Sequence, residues 1–298
     1  MDFFKIIDQL SEVDADVLGR FDSRRAVFSS LGTAAKRSAL AATPLFLGAL
    51  FQKAYAGTAG TAATAVEVLQ YALALELFEQ DFYAKVQASP LYTAASATDK
   101  AAIDQIKKHE DSHVTLLQGA IRANSGTPVT GVTFKRATFA TLVTFNGTGA
   151  AAGSSILGIA QLLEDTGVRA YKGRAPELLG TDLLTVALQI HSVEARHAAK
   201  IRAMRGQRSW VNPADDLATH AVYTSGTTAG SNPGRFGLVV PTYSSPSPTE
   251  NNTTQSAVPI TTGLGTTYSA ADAAASFDEY LQVAEVLDDS RAGGLIGA

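Results

Sequence analysis

The sequence of 298 residues contains no cysteine, one tryptophan and two methionines. Without cysteine the chain can form no disulfide framework, no iron–sulfur cluster and no thiolate zinc site. Any metal ion must therefore be held by Glu, Asp and His side chains.

The chain also lacks an excess of charge of either sign. Its formal net charge is -4, its isoelectric point is about 5.7, and no run of Lys or Arg occurs along it. These features exclude a broad basic surface, so nucleic acid is not an expected partner. No apolar run reaches the ~20 residues of a membrane-spanning helix, so no transmembrane helix is expected.

The first 56 residues have the features of an export leader in the expected order. Residues 23–28 (SRRAVF) resemble a twin-arginine signal, a mildly apolar stretch covers 38–51, and residues 54–56 (AYA) form a small-x-small cleavage site. This pattern predicts export to the periplasm or cell envelope of a protein that folds and takes up its metal before crossing. The alternative is an amphipathic N-terminal helix on a cytoplasmic protein, and whether the leader is cleaved stays open.

Apolar residues recur with helical period in four long segments, 62–88, 98–123, 155–172 and 181–205. Thr98 and Thr181 are candidate N-caps of the second and fourth helices. The short connection after the first helix makes the first two antiparallel neighbours, while the long link over 124–154 lets the third begin at the end where the second began. The fold class predicted over 62–206 is all-α, a four-helix bundle with a long crossover between helices 2 and 3.

One pattern occurs twice on these helices, a Glu followed seven residues later by a Tyr, and then Glu-x-x-His on the next helix. The first copy consists of Glu76, Tyr83, Glu110 and His113, and the second of Glu164, Tyr171, Glu194 and His197. Residues three or seven apart lie on one face of a helix. Carboxylates with imidazoles suit iron, manganese or zinc, whereas an oxygen-only set would suit magnesium or calcium.

The apolar neighbours of the pattern decide whether it faces inward. Surface placement of the motifs would leave Leu73, Ile106, Leu163 and Ile201 without a consistent interior. Burial of four carboxylates without cations would be prohibitive. The doubled pattern therefore predicts a buried site for two metal ions.

Three nearby polar residues are expected outside the ligand set. His109 lies about 100° around the helix from Glu110 and is expected at the surface or an edge. His191 is expected to pack beside the site without binding metal, and Glu79 is expected to face solvent.

With these motifs, residues 62–205 resemble the ferritin-like superfamily of di-iron carboxylate bundles, most closely the exported bacterial ferritin-like domain proteins. The chain lacks the rubredoxin-like Cys motifs of rubrerythrins, and hence their electron-transfer module. The resemblance implies two bound iron ions, with manganese as the alternative. It implies terminal ligands Glu76 and Glu164, bridging carboxylates Glu110 and Glu194, and nitrogen ligands His113 and His197. It also implies that Tyr83 and Tyr171 lie next to the ligands, where each hydrogen-bonds a ligand or supplies an electron.

The function implied by this resemblance is binding of two metal ions with oxidation of Fe(II) or reaction with O2 or peroxide. Two alternatives stay open: manganese catalase-like peroxide disproportionation, and a non-catalytic envelope or assembly protein that uses the bundle as a scaffold. Whether the chain is an enzyme is also open, with a ferroxidase-type oxidoreductase as the candidate. The native metal, substrate and reductant are not specified by the sequence.

Residues 207–298 form an extension of different composition. Ser, Thr, Pro, Gly and Asn dominate as far as Tyr268, which predicts an extended wrap. Helical period returns over 269–289 and predicts a fifth helix, and the Gly-rich end at 293–298 is expected to be mobile. The extension is a candidate for contacts in a homo-oligomer or larger assembly.

Overall fold

A computed structural model describes residues 64–226, 235–241, 245–255, 257–263 and 268–297. The predicted leader at 1–56 lies outside these residues and stays a prediction. In the described part of the chain, every helix is too short or too polar to cross a membrane.

Four long helices dominate the structure and confirm the all-α fold class. They are α1 (Ala65–Gln87), α2 (Ala97–Ala123), α3 (Ile156–Arg174) and α4 (Leu183–Met204). A reciprocal capping box between Thr64 and Glu67 begins α1, which satisfies two backbone N–H groups that a helix start leaves free. The predicted caps of α2 and α4 are wrong: the Ser96 side chain caps α2, and α4 follows Asp182, which makes no side-chain cap bond.

Side-chain pairs show that neighbouring helices are antiparallel. Between α1 and α2, the Gln87 amide donates to Asp104 at 2.8 Å and the Gln80 amide donates to Asp111 at 2.6 Å. Pairs closer to the end of α1 therefore use residues closer to the start of α2. Between α3 and α4, Arg202 donates to Asp165 at 2.7 Å and Arg205 donates to Gln161, which is the same antiparallel sense.

The long crossover between α2 and α3 runs along α1. Near one end of the helix, Gln70 donates to the Thr127 carbonyl at 2.6 Å and accepts from the Val129 amide at 2.8 Å. Eleven residues further along α1, Asp81 accepts from the Phe134 amide at 2.7 Å. The crossover thus carries the chain along the bundle, as the link length predicts, so that α3 begins where α2 began.

Short elements fill the crossover and the extension. The strands are β1 (Thr133–Phe134), β2 (Thr254–Gln255), β3 (Val258–Pro259) and β4 (Ile296–Gly297), with β1 antiparallel to β4 and β2 antiparallel to β3. In the extension lie α5 (Ala270–Ser276) and α6 (Val283–Val286). Short segments of α-helix or 3-10 helix, of one or two turns each, cover Pro90–Thr93, Arg136–Phe139, Gly149–Ser154, Ala175–Leu178, Ala221–Tyr223, Arg235–Gly237, Ile260–Gly263 and Ala292–Leu295.

The extension packs on α3, which is buried from Ile156 to Tyr171 on every side. The Arg169 guanidinium, 1% exposed, donates to the Pro248 carbonyl at 2.7 Å and the Glu279 carbonyl at 3.0 Å, and pairs with Glu250 at 2.7 Å. Because these carbonyls belong to the extension, a single α3 side chain fixes two separate parts of it.

A fifth helix is present in the extension, but it is shorter than the predicted span 269–289. Helix α5 ends at Ser276, and Phe277 is extended, with φ -140° and ψ 122°. Between α5 and α6, the carbonyls of Glu279 and Tyr280 accept from Arg169, and the Leu281 amide donates to the Arg169 carbonyl at 3.0 Å. These backbone groups form hydrogen bonds with Arg169 of α3 and not the i to i+4 hydrogen bonds of a continuous helix. The apolar period of the sequence carries no information about such partners.

The prediction of a mobile C-terminal end is also wrong for the residues described. Ile296 is 1% exposed, and β4 pairs with β1 in the crossover. The end of the extension is therefore tied to the same element that runs along α1.

Candidate metal centre

The six predicted ligands lie together in the middle of the bundle, and each helix supplies at least one. The four carboxylates have no exposed surface, and the two imidazoles are also buried. Helical period accounts for this placement, since each ligand shares a face with core residues such as Leu73 and Ile106, which have 0% and 3% exposed surface. The structure thus places the doubled pattern on the inward faces.

One set of four side chains gathers around His113. Its Nδ1 lies 3.1 Å from Glu76 Oε2 and 3.1 Å from Glu110 Oε2, and 3.3 Å from Glu194 Oε1. One ligand atom from each of these four residues can be chosen so that all lie within 4.8 Å of one another. The set offers three oxygens and one nitrogen to a single ion.

A second set gathers around His197 in the other half of the bundle. Its Nδ1 lies 2.9 Å from Glu110 Oε1, 3.1 Å from Glu164 Oε2 and 3.8 Å from Glu194 Oε2. These four residues meet the same 4.8 Å criterion. The second set has the same chemical composition as the first.

Glu110 and Glu194 belong to both sets. Each directs one carboxylate oxygen toward His113 and the other toward His197. Glu76 belongs only to the first set and Glu164 only to the second. This is the geometry of two adjacent sites that share two carboxylates, with one further carboxylate and one imidazole each.

The buried charges shift the pKa values of the cluster strongly. Burial acts to lower the pKa of His113, but hydrogen bonds with Glu110, Glu194 and Glu76 raise it to about 12. Burial acts to raise the pKa of Glu194, but hydrogen bonds with His113 and His197 lower it to about 2. The protonated imidazoles therefore stand where cations would otherwise balance the carboxylates.

Two further carboxyl groups have raised pKa values for the same reason. Burial raises the pKa of Glu164 to about 7, against the opposing charge of His197. Burial and the Glu194 charge raise the pKa of Glu110, against its hydrogen bonds with both imidazoles. These raised pKa values mean that the two imidazoles alone do not neutralise the buried carboxylates. Added positive charge, such as a metal ion, would therefore stabilise the ionised carboxylates.

The two predicted tyrosines each bond a carboxylate across the bundle. Tyr171 on α3 donates to Glu76 on α1 at 2.5 Å, and Tyr83 on α1 donates to Glu164 on α3. Burial, followed by the charge of the carboxylate it bonds, raises the pKa of each phenol well above its usual range. Both phenols therefore keep their protons and orient the two carboxylates that are not shared.

The expectation that Glu79 faces solvent is wrong, because this residue is 3% exposed. Burial, and then the charges of Glu194 and the other carboxylates of the cluster, raise its pKa well above the usual range. The corresponding residue in the second half is Gly167, where an added Cβ would lie 3.5 Å from Glu79 Oε1 and 3.3 Å from Glu194 Oε2. The space beside Gly167 thus accommodates a fifth buried carboxylate, and the Glu76-x-x-Glu79 spacing was its signal.

The two other histidines differ in their relation to the site. His109 is half-buried, but its Nδ1 lies 2.8 Å from His197 Nε2, with the rings nearly parallel and their centroids 5.1 Å apart. It therefore orients the imidazole of His197, a role that its predicted edge position did not include. His191 is half-buried and lies outside both sets of four.

The donor set fits metal ions. Each imidazole Nδ1 carries at most one proton yet lies within 3.8 Å of three carboxylates, so among the described residues Glu110 Oε1 and both Glu194 oxygens have no hydrogen bond of good geometry. Buried carboxylate oxygens in this condition are normally paired or coordinate a metal. Mixed carboxylate and imidazole ligands suit iron, manganese and zinc.

Comparison with known proteins agrees with this architecture. A family model described as "Ferritin-like domain" matches residues 64–207, the segment that contains all four bundle helices and the whole cluster. No curated protein matches the chain. Residues 64–207 therefore form a domain of the ferritin-like superfamily.

Proposed function

We propose that this ferritin-like domain binds two metal ions and oxidises Fe(II), with O2 or peroxide as the electron acceptor. The observation that carries the proposal is the sharing of Glu110 and Glu194 between two equivalent sets of ligands. Four carboxylates compensate the four positive charges of two divalent ions. Iron at these positions would supply redox chemistry, since each Fe(II) can give up one electron.

The surrounding residues support such chemistry in three ways. The cluster has almost no exposed surface, so bulk water does not compete for the ligand oxygens. Tyr171 and Tyr83 hold the two unshared carboxylates in place by hydrogen bonds. His113 and His197 must release protons from Nδ1 to act as ligands. The buried carboxyl group of Glu79 interacts with the charges of the four cluster carboxylates, so its protonation responds to a change of charge in the cluster.

Anaerobic titration with Fe(II), followed by addition of O2 or peroxide, tests the proposal. We expect binding of about two Fe(II) per chain and oxidation of both when oxidant is added. Glu110→Ala should lose both ions, while Asp111→Asn, on the outer face of the same helix, should bind as the wild type does. A wild type that binds no Fe(II), or a Glu110→Ala variant that binds as much Fe(II) as the wild type, would contradict the proposal.

Metal analysis of protein purified from its native source separates iron from the manganese alternative, because the ligand types serve both. Manganese, with peroxide disproportionation and no net Fe(II) oxidation, would favour the catalase-like reaction. Metal-free protein without oxidase activity would favour the non-catalytic scaffold.

A further inference from the structure

A polar cleft lies between helix α4 and the extension, outside the metal centre. Its volume is about 340 Å³, and its wall includes Arg202 of α4 together with Asp215 and Tyr223 of the extension. A smaller recess of about 140 Å³ adjoins the cleft and shares Arg202, Val211 and Ala274 with it. The cleft and the recess together have the size of a small-molecule site, which typically begins at about 300 Å³.

The guanidinium of Arg202 supplies a buried donor to the wall of this cleft. Arg202 is 2% exposed, and its two terminal nitrogens donate to the carboxylate of Asp165 at 2.7 and 2.5 Å. Its Nε has no hydrogen-bond partner among the described residues, and Asp215 Oδ2 lies 4.0 Å from it, too far for a hydrogen bond. Because a buried N–H without a partner is costly, a ligand group that bonds both Arg202 and Asp215 would bind favourably.

The chemistry of these two side chains selects the ligand group. It must accept a hydrogen bond from Arg202 Nε and donate one to Asp215, and a hydroxyl does both, whereas an ammonium group has no lone pair and a carboxylate has no proton to donate.

The charges of the wall exclude other ligands. The guanidinium of Arg202 faces two carboxylates, those of Asp165 and Asp215. Glu250 is already paired with Arg169. The wall therefore carries an excess of negative charge, which disfavours an anionic ligand. Among the described residues, three or more metal-ligating side chains gather only in the two sets at the bundle centre, so a bare metal ion has no site in the cleft.

Further polar groups and two exposed rings surround the same point. Thr219, Asn212 and Asn251 add a hydroxyl and two amides to the wall of the cleft. In the adjoining recess Trp210 and Phe277 are 47% and 41% exposed. A sugar ring has hydroxyl groups at its edge and apolar C–H groups on its faces, so it can hydrogen-bond the polar wall while one face packs on an aromatic ring. Water would satisfy the polar groups alone.

From these observations we propose that the cleft is a binding site for a neutral saccharide of one or two rings. A hydroxyl of the sugar lies between Arg202 Nε and Asp215 Oδ2, and a face of the ring packs against Trp210. This site is independent of the metal centre, because none of the six metal ligands forms part of the cleft or of the recess.

Trp210 allows a direct measurement, because it is the only tryptophan of the chain. The full chain is titrated with glucose, N-acetylglucosamine, maltose and cellobiose, and binding is followed by tryptophan fluorescence and by saturation-transfer NMR. We expect at least one of these sugars to shift the emission of Trp210, with a Kd of about 1 mM or tighter. Glucuronate, which has the glucose ring with a carboxylate, should bind about tenfold more weakly than glucose. If none of the four neutral sugars gives a signal by either method, the cleft holds water only and the proposal is overturned.

Substitutions in the wall test where the sugar binds. Asp215→Ala should weaken binding about tenfold, from loss of a charged hydrogen bond, and Trp210→Ala about fivefold, from loss of an aromatic contact. NMR measures both, since the second variant lacks the fluorescent residue. The matched control is Asp182→Ala, at an exposed position ~30 Å along α4 from Arg202, which should bind as the wild type does. If Asp215→Ala does not fold, Thr219→Val removes one hydroxyl from the wall and should weaken binding about threefold. Wild-type affinity in the wall variants would contradict the proposal.

Fe(II) binding separates this site from the metal centre. Asp215→Ala and Trp210→Ala should bind as much Fe(II) as the wild type, because neither residue belongs to the ligand sets. A wild type that binds a sugar but no Fe(II) would overturn the proposed function alone. A wild type that binds and oxidises Fe(II) but binds no sugar would overturn the saccharide site alone.

Discussion

The two halves of the bundle carry the same ligands in different surroundings. Helices α2 and α4 each keep a solvent-facing side, with Leu116 45% and Leu188 46% exposed, whereas in the second half α3 is buried from Ile156 to Tyr171, where the extension covers it. Beside the cluster, Glu79 in the first half faces Gly167 in the second. His109 of α2 contacts the imidazole of His197 and the side-chain amide of Gln105. The ligand pattern thus occurs in both halves, but the residues that contact the ligands differ between the halves.

This comparison shows which properties belong to the metal centre and which belong to the fold. Glu110 and Glu194 make equivalent contacts, so substitution in either half should have the same effect on metal binding. Substitution at residues of α3 that face the extension should lower the stability of the domain, whereas substitution at exposed positions of α2 should not. Each of the following predictions pairs one residue from each half.

The largest expected effect is on the shared carboxylates. Glu110→Ala and Glu194→Ala should each abolish binding of both ions, with an affinity loss well beyond the ~10–100-fold typical of residues that only orient ligands. Calorimetric titration with Fe(II) under anaerobic conditions measures this loss. Retention of one tightly bound ion in either variant would show that the carboxylates are not shared.

The next effect is the pH dependence of metal binding. The raised pKa values of His113, at about 12, and His197 mean that both imidazoles carry a proton at neutral pH without metal. Metal must displace these protons, so affinity should rise with pH, by about tenfold per unit for each proton released. Two ions together should show about a 100-fold change per unit between pH 6 and pH 8.

Calorimetry in buffers of different ionisation enthalpy counts the protons directly. Wild-type protein should release at least two per chain on loading. His113→Ala and His197→Ala should each bind one ion fewer and release one proton fewer. Affinity that does not change with pH would contradict this account of the cluster.

A smaller effect separates the halves by stability. An added Cβ at Gly173 of α3 would lie 2.0 Å from the Leu281 carbonyl of the extension, whereas an added Cβ at Gly119 of α2 would have no atom of a described residue within 4 Å. Gly173→Ala should lower the free energy of unfolding by about 1–3 kcal/mol. Gly119→Ala should raise it by about 0.4–1 kcal/mol.

Urea unfolding of the two metal-free variants measures this difference. The account would be contradicted if Gly173→Ala were as stable as the wild type, since the extension would then not approach α3 this closely. Fe(II) stoichiometry should be unaffected in Gly119→Ala.

The smallest expected effect concerns the tyrosines. Tyr83→Phe and Tyr171→Phe each remove one hydrogen bond to an unshared carboxylate, and each should weaken binding of the nearer ion by about tenfold. Competition titration with a chelator can resolve the two ions. An effect in one variant only would show that the two halves orient Glu164 and Glu76 differently.

The sequence predicts the parts of this molecule that depend on helical period. The four helices and the inward direction of the ligand pattern follow from apolar residues such as Leu73 and Ile106 at fixed spacing. The Glu76-x-x-Glu79 spacing signals a position one turn from a predicted ligand, but the room for a fifth buried carboxylate depends on the absence of a side chain at Gly167 on another helix. The path of the extension depends on Arg169, whose partners are backbone carbonyls distant in sequence and invisible to any local pattern.

The most direct test of the shared centre is anomalous diffraction from crystals loaded with Fe(II) under anaerobic conditions. The account predicts two metal peaks per chain, one at His113 Nδ1 with Glu76 and the other at His197 Nδ1 with Glu164. Glu110 and Glu194 should contact both peaks. A single peak, or two peaks that do not share these carboxylates, would contradict it.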